Sequence, residues 1–270
     1  MPIRRISSKW AKTEALLASS ELRGLVPDTR PFDQDTVRSM LEQYGMIYVK
    51  PVNGTFGKGV IRLGQSTGSD DGYTLQAGEK QMSFSTFDGM FDALLKIKRP
   101  RPYLSQQGIE LLKHENRRFD FRVMVQMNPD GQWETTGIIG RLAHPRKIVT
   151  NYHAGGTPLP METLMKTHLE KAERTSRSYR RELSKLGVDV ASALGKRFPG
   201  LKEIGIDVAV DTALKPWILE VNTLPDPYIF LRLPDRSVYR RIRKYAIAYG
   251  RFRRSARASA KSRRRGAGKK

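Results

Sequence analysis

The stretch at 205–222, GIDVAVDTALKPWILEVN, constrains the fold more than any other part of the chain. It reads as two short strands joined by a turn. A period of two puts Asp207, Ala209 and Asp211 on one face of the first strand and Ile206, Val208 and Val210 on the other; across the turn, Ile218, Glu220 and Asn222 share a face. Carboxylates and an amide at positions where apolar residues would be cheap call for an explanation. If the strands pair in register, Asp207, Glu220 and Asn222 converge as hard oxygen donors, which suits magnesium with water and phosphate oxygens on its other positions. The competing reading is an ordinary solvent-facing strand side.

A second motif bears on the same chemistry. In YVKPVNGTFGKGVIR, at 48–62, Lys50 ends one β-branched run, and Gly54, Gly57 and Gly59 fall in the loop before the next. A tight hairpin needs only one or two glycines. The spacing is neither a Walker A motif nor a dinucleotide fingerprint, because Lys58 is followed by glycine and a strand. Two readings stay open: a flexible hairpin with an exposed lysine, or a cradle in which loop N–H groups and the Lys50 ammonium hold phosphate.

Around these motifs the pattern alternates between helices and strands. Val37, Met40, Leu41 and Tyr44 mark a helix over 35–44 stopped by Gly45; strands follow at 46–49 and 60–63, and then a helix near 86–97 ended by Pro100. Three further strand-like runs lie between 102 and 143. The charged segment 161–198, with Leu164, Leu169, Leu183, Leu186 and Leu194, predicts two helices broken near Gly187. After the 205–222 pair, Tyr239, Ile242, Tyr245, Ala246 and Tyr249 recur at helical spacing. Taken together this is an α+β chain.

The net charge is +22 over 270 residues, and ten of those charges lie in 251–270, which has seven Arg, three Lys and no acid. That composition predicts a disordered basic tail, either solubilising or contacting a polyanion. No run approaches the roughly 20 apolar residues of a membrane-spanning helix. The absence of cysteine excludes disulfides and thiolate chemistry, and with no apolar leader it fits a cytoplasmic location. His114, His144, His153 and His168 have no metal-type spacing.

The chain resembles the ATP-grasp superfamily, and within it the YheC/YheD group described as endospore coat-associated. The resemblance rests on KW at 9–10, YVKPVNGTFGKGV at 48–60, QQGIEL at 106–111, FDFRVMVQ at 119–126, GRLAHPRKIVTNYHAGG at 140–156, GIDVAVD at 205–211 and LEVNTLPDP at 219–227, in family order. It implies two α+β lobes clasping ATP over residues 1–250, a lid lobe near 46–105 and a metal-binding lobe near 106–235, without a full preceding α/β domain, ahead of the tail. A partner or the lobes themselves would then supply the acceptor surface.

By the same resemblance Lys50 contacts the α- and β-phosphates, and Lys9 is an earlier nucleotide lysine, although Ser8 stands where the family usually has Asp. Gln107, Gly108 and Ile109 form the adenine hinge, Asp120 contacts ribose, and Asp207, Glu220 and Asn222 hold Mg2+. Arg122, Arg141 and Asn151 face the transferred phosphate and the acceptor. Read from the residues alone, Lys9 is equally a first-turn helix charge, Gln107 a strand end, the arginines strand-surface groups, and Asn151 with Gly155 and Gly156 a turn cap.

The implied activity is ATP- and Mg2+-dependent carboxylate–amine ligation through an acyl phosphate, with an acceptor that is acidic if the basic surface recognises it. The alternatives are phosphoryl transfer to a hydroxyl, and a spore-coat structural or polyanion-binding protein with a vestigial ATP site. Spore association follows from the resemblance.

Overall fold

The computed structural model describes residues 2–54, 57–66, 72–150 and 152–253. Helix α1 (Lys9–Leu17) starts where the Ser8 hydroxyl accepts from the Ala11 amide at 3.1 Å. The non-Asp residue ahead of Lys9 is therefore a helix N-cap. Next come β1 (Thr29–Pro31), α2 (Gln34–Tyr44), β2 (Met46–Pro51), β3 (Ile61–Ser66), β4 (Gly72–Ala77), β5 (Lys80–Phe84), α3 (Phe87–Ile97) and β6 (Tyr103–Gln107). Helix α2 is stopped by Gly45 at φ 66°, as its sequence signal predicts, and is capped at its start by Asp33, whose side chain accepts from the Thr36 amide.

These strands form one antiparallel sheet in the order β1-β6-β2-β3-β4-β5. Period two along β2 buries Ile47, Val49 and Pro51 and turns Tyr48 and Lys50 to the opposite face. Val37, Met40 and Leu41 of α2, with Phe87, Met90, Phe91 and Leu94 of α3, pack on the apolar side. The sheet reaches back to Thr29, which pairs with Gln106, so it begins ahead of the expected 46–105.

The second sheet is built from β8 (Arg117–Met127), β9 (Trp133–Leu142), β10 (Thr157–Leu159), β11 (Glu203–Val210) and β12 (Pro216–Asn222), in the order β10-β9-β8-β11-β12. The short β7 (Lys113–His114) pairs with β8. One face carries the main core, in which Phe119, Phe121, Val123 and Val125 of β8 meet α4 (Met161–Lys171), α5 (Ser176–Arg197) and, from the far end of the sequence, Ala15 and Leu16 of α1. On the other face α6 (Arg236–Ala248) covers Met124 and Ile139 with Ile242. The remainder of that face is charged and looks towards the first sheet.

Three local expectations change. The break in 161–198 falls at 172–175, where Glu173 takes φ 52° and Thr175 caps α5, and not at Gly187. Gly187 is buried inside α5 because the helix approaches the sheet closely; a Cβ there would lie 2.8 Å from Thr135 Oγ1 and 2.9 Å from Val125 Cγ2. Ile218 does not share a face with Glu220. A bulge pairs Val208 with Ile218 and Asp207 with Glu220, so Leu219 is the extra residue and Ile218 drops into the core. Arg251, at the head of the expected tail, is fixed by bonds to Glu203 and the Pro225 carbonyl; residues 254–270 lie outside the described residues.

An alanine at an exposed helical glycine gains up to about 1 kcal/mol. At Gly187 the sign reverses: Gly187→Ala should destabilise by about 1–3 kcal/mol from overpacking, read as a lower denaturant midpoint. A raised midpoint would refute the close helix–sheet contact.

Candidate functional site

The two sheets face each other across a cleft, and alternation on each strand decides which side chains enter it. From the first sheet come Tyr48 and Lys50 of β2 with Gln106 of β6; from the second come Asp120, Arg141, Asp207, Leu219 and Glu220. They line an open pocket with about 700 Å³ of space, together with the apolar Ile109, Leu111 and Ile148. The β12 bulge matters here, because it presents Leu219 and Glu220 together, giving an apolar floor beside a carboxylate.

Lys50 is half-buried, and its ammonium donates to Gln106 Oε1. Gln106 Nε2 in turn donates to Thr29 Oγ1 at 3.0 Å, which fixes the amide's orientation. Burial lowers the Lys50 pKa to about 8, against the attraction of Glu220 and with the repulsion of Lys9. Lys9 Nζ donates to the Gly54 carbonyl at 2.7 Å and lies 3.3 Å from Glu220 Oε1, while the Lys9 amide donates to the Val52 carbonyl at 2.9 Å. This first-turn lysine thus ties the glycine loop to the second sheet. Gly54 (φ 157°) and Gly57 (φ 70°) line the cleft, whereas Gly59 (φ 79°) sits against Arg101 and Pro51.

The floor is a row of cross-strand charge pairs. Asp120 faces Arg141 between β8 and β9, Arg122 faces Asp207 between β8 and β11, and Asp207 faces Glu220 between β11 and β12. Arg141 grips Asp120 at both oxygens, Nε to Oδ1 at 2.8 Å and Nη2 to Oδ2 at 2.5 Å, and approaches Asp207 Oδ2 at 3.1 Å. Arg122 Nε donates to Asp207 Oδ1 at 2.7 Å. Burial alone would raise the Asp207 pKa, but Arg122 and Arg141 outweigh it and hold the carboxyl below its usual range. Burial likewise opposes the Arg141 charge, and Asp120 and Asp207 raise its pKa in net.

Asn222 continues β12 one pleat beyond Glu220, opposite Gly205. Two carboxylates and an amide on one strand pair form an oxygen donor set that fits a divalent cation sharing phosphate oxygens. Among the described residues no group of three His, Cys, Asp or Glu could hold a metal, and the oxygens of Asp207 and Glu220 here meet Arg122, Arg141 and Lys9. A cation would enter by exchanging partners with these side chains. The adenine end also fits, through Ile109, Leu111, Ile148 and Leu219.

The amides of Gln107 and Gly108 donate to the Asp28 and Met46 carbonyls, each at 2.8 Å, while Gln107 and Ile109 line the cavity. Asp120, which lines the cavity, accepts from Arg141 at both oxygens, and its Oδ2 also accepts from Thr150 Oγ1 at 2.6 Å. Asn151 and the His153 side chain lie outside the described residues. Sequence reasoning passed over Gln106, whose alternation with the core residue Tyr103 puts it on the cleft face, and over Lys12, one turn of α1 beyond Lys9.

Two α+β lobes around a cleft, with a glycine-loop hairpin over a carboxylate-bearing strand pair, define the ATP-grasp fold. The chain belongs to the family described as YheC/D like ATP-grasp, whose pattern matches residues 4–252. It is 28% identical over 254 residues to the endospore coat-associated protein YheD of Bacillus subtilis (strain 168), covering 90% of this chain and 52% of that protein. Against the endospore coat-associated protein YheC of the same organism it is 23% identical over 233 residues, covering 85% of this chain and 63% of the relative. The chain thus spans between about half and two thirds of the length of these relatives. ATP-grasp proteins in general are ATP-dependent ligases that bind ATP and Mg2+.

A phosphate beside Lys50 favours its charged form, so ADP binding at pH 8 should take up protons, and affinity should fall as pH rises from about 7 to about 9. Calorimetric titrations in two buffers of different ionisation enthalpy measure this. Lys50→Met should weaken binding about tenfold to a hundredfold and cut the uptake to whatever Lys12 contributes. Buffer-independent heats in the wild type would mean that Lys50 does not meet the nucleotide.

Proposed function

We propose that this chain is an ATP- and Mg2+-dependent carboxylate–amine ligase. The observation that carries the reading is the meeting of two spaces at one charge row: the 700 Å³ cavity and a larger groove share Gly57, Arg141, Asp207 and Glu220. A nucleotide in the first would present its terminal phosphate to whatever lies in the second.

When bound, ATP supplies the phosphoryl group that turns a carboxylate into an acyl phosphate, and Mg2+ offsets the charge on it. Asp207, Glu220 and Asn222 would hold the cation. Lys50, oriented by Gln106, and Lys9, anchored at Gly54, hold the phosphates, and Gly54 and Gly57 let the loop backbone approach closely. Arg122 and Arg141 neutralise charge developing between phosphate and acceptor; Asp120 keeps Arg141 aligned. The adenine lies against Ile109, with Gln107 and Gly108 keeping the hinge strand in place. Asn151 belongs to the acceptor side by the family resemblance. The lid and metal-binding lobes near 46–105 and 106–235 remain the working division.

That both relatives are named endospore coat-associated proteins supports spore association for this chain as well. Polyanion contact by the basic tail is a separate proposal, as is a coat role with a vestigial site. Against the vestigial reading stands the buried Lys12, whose ammonium makes one hydrogen bond among the described residues and is costly to keep unused.

Hydroxylamine can replace the unknown amine. Incubated with Mg2+, ATP, hydroxylamine and a panel of carboxylates that includes L-glutamate and poly-L-glutamate, the protein should form hydroxamate and ADP in equal amounts. Glu220→Gln should reduce this by about a hundredfold to a thousandfold. A stable phosphorylated product would transfer the reading to phosphotransferase, and nucleotide binding without turnover on any carboxylate would favour the coat role.

A further inference from the structure

The larger groove, about 1610 Å³, opens beyond Asn222 and is walled by 223–229 on one side and by 5–7 and Lys12 on the other. Its rim carries Leu224, 63% exposed, and Tyr228, 55% exposed, two of the four large apolar side chains most open to solvent among the described residues. These two are not on a slack loop. Arg5 donates to the Thr223 carbonyl, the Ile6 amide donates to Thr223 Oγ1 at 2.8 Å, and Arg251 Nη2 donates to the Pro225 carbonyl at 2.9 Å. Both arginines are held in turn by Glu203, fully buried, at 2.7 Å each. Tyr228 packs near the rings of Tyr239 and Phe252. A rim fixed from both ends of the chain, with apolar groups facing water, is pre-organised for a ligand.

At the inner end of the groove lies Lys12, 4% exposed. Among the described residues its ammonium makes one hydrogen bond, to the Ile6 carbonyl at 3.3 Å, so two of its three donors are unused. Lys12 and Arg122 face Asp207 and Glu220, and on the ligase reading those carboxylates turn to the metal, which leaves the inner groove positive.

Resting on that ligase reading, we infer that the groove takes an extended polypeptide as acceptor, its flanking side chains lying on Leu224 and Tyr228 and one of its carboxylates received by Lys12. A free amino acid would need a closed pocket matching its own ammonium and carboxylate. This groove is more than twice the volume of the nucleotide cavity, open, and apolar along its rim.

The test uses the full chain with ADP and Mg2+ and a fluorescein-labelled peptide of eight glutamates and two leucines, read by anisotropy. The far-UV circular dichroism spectrum and the thermal unfolding midpoint of each variant report that it is folded. Wild type should bind, with free L-glutamate competing at least about a hundredfold more weakly than unlabelled peptide. Leu224→Ser, Tyr228→Ser and Lys12→Gln should each weaken peptide binding about tenfold, the loss expected for about 1.4 kcal/mol. Binding carried by the basic tail is the same in all variants, so equal affinity across them, or complete displacement by heparin that is indifferent to them, overturns the inference. Failure of the wild type to bind the peptide overturns it as well. The binding readout is independent of chemistry: peptide binding sensitive to the rim but without hydroxamate would sink the ligase reading and keep the groove.

Discussion

Asp207 is the carboxylate on which the rest of the cleft depends. Taking an ion out of water costs several kcal/mol, and only well-placed partners offset that. Here the partners are supplied by strand register: Arg122 stands directly across on β8, and Arg141 reaches over from β9, itself aligned by Asp120 and Thr150. If β8 slipped by one residue against β11, Asp207 would face an apolar neighbour and its burial would lose its compensation. The charge row therefore enforces the register of the sheet as well as lining the site.

The same alternation explains how one sheet serves two environments. Phe119, Phe121, Val123 and Val125 drive the main core, while the intervening Asp120, Arg122, Met124 and Gln126 run from charged to apolar to amide along the other face. Helix α6 covers the far half, where Gln126 donates to the Ile242 carbonyl and to Tyr249. The near half has no helix over it and faces the first sheet. The uncovered half of an otherwise sandwiched sheet is where a ligand can be held between rigid walls.

Much of this was legible in the sequence, and the failures share a cause. The helix stop at Gly45, the polar faces of β11 and β12, and the lysine before the glycine loop are local signals, and local rules read them. The bulge at Leu219 is a property of two strands together, so alternation along one strand misassigned Ile218. Gly187 signalled a helix break because exposed glycine weakens a helix; its actual reason, the approach of Val123, Val125 and Thr135, lies 52 to 64 residues away in sequence. Gln106 was hidden because its partners, Thr29 and Lys50, come from two other strands. The clamp of Arg5 and Arg251 on Glu203 joins the two ends of the chain, and no window of sequence contains it.

Electrostatic imbalance then distinguishes a working cleft from a structural one. Lys9, Lys12, Lys50, Arg122 and Arg141 converge around Asp120, Asp207 and Glu220, five cations to three carboxylates, and burial has already drawn two of the lysines down to about 8. A site kept only for stability would gain by replacing Lys50 and Lys12 with apolar residues of similar volume, since among the described residues neither ammonium has a carboxylate within ion-pair distance. Retaining them makes physical sense if a polyanion enters and restores their charge. On the ligase reading, a phosphate and a carboxylate would supply the missing negative charge, and binding free energy would be concentrated where they lie.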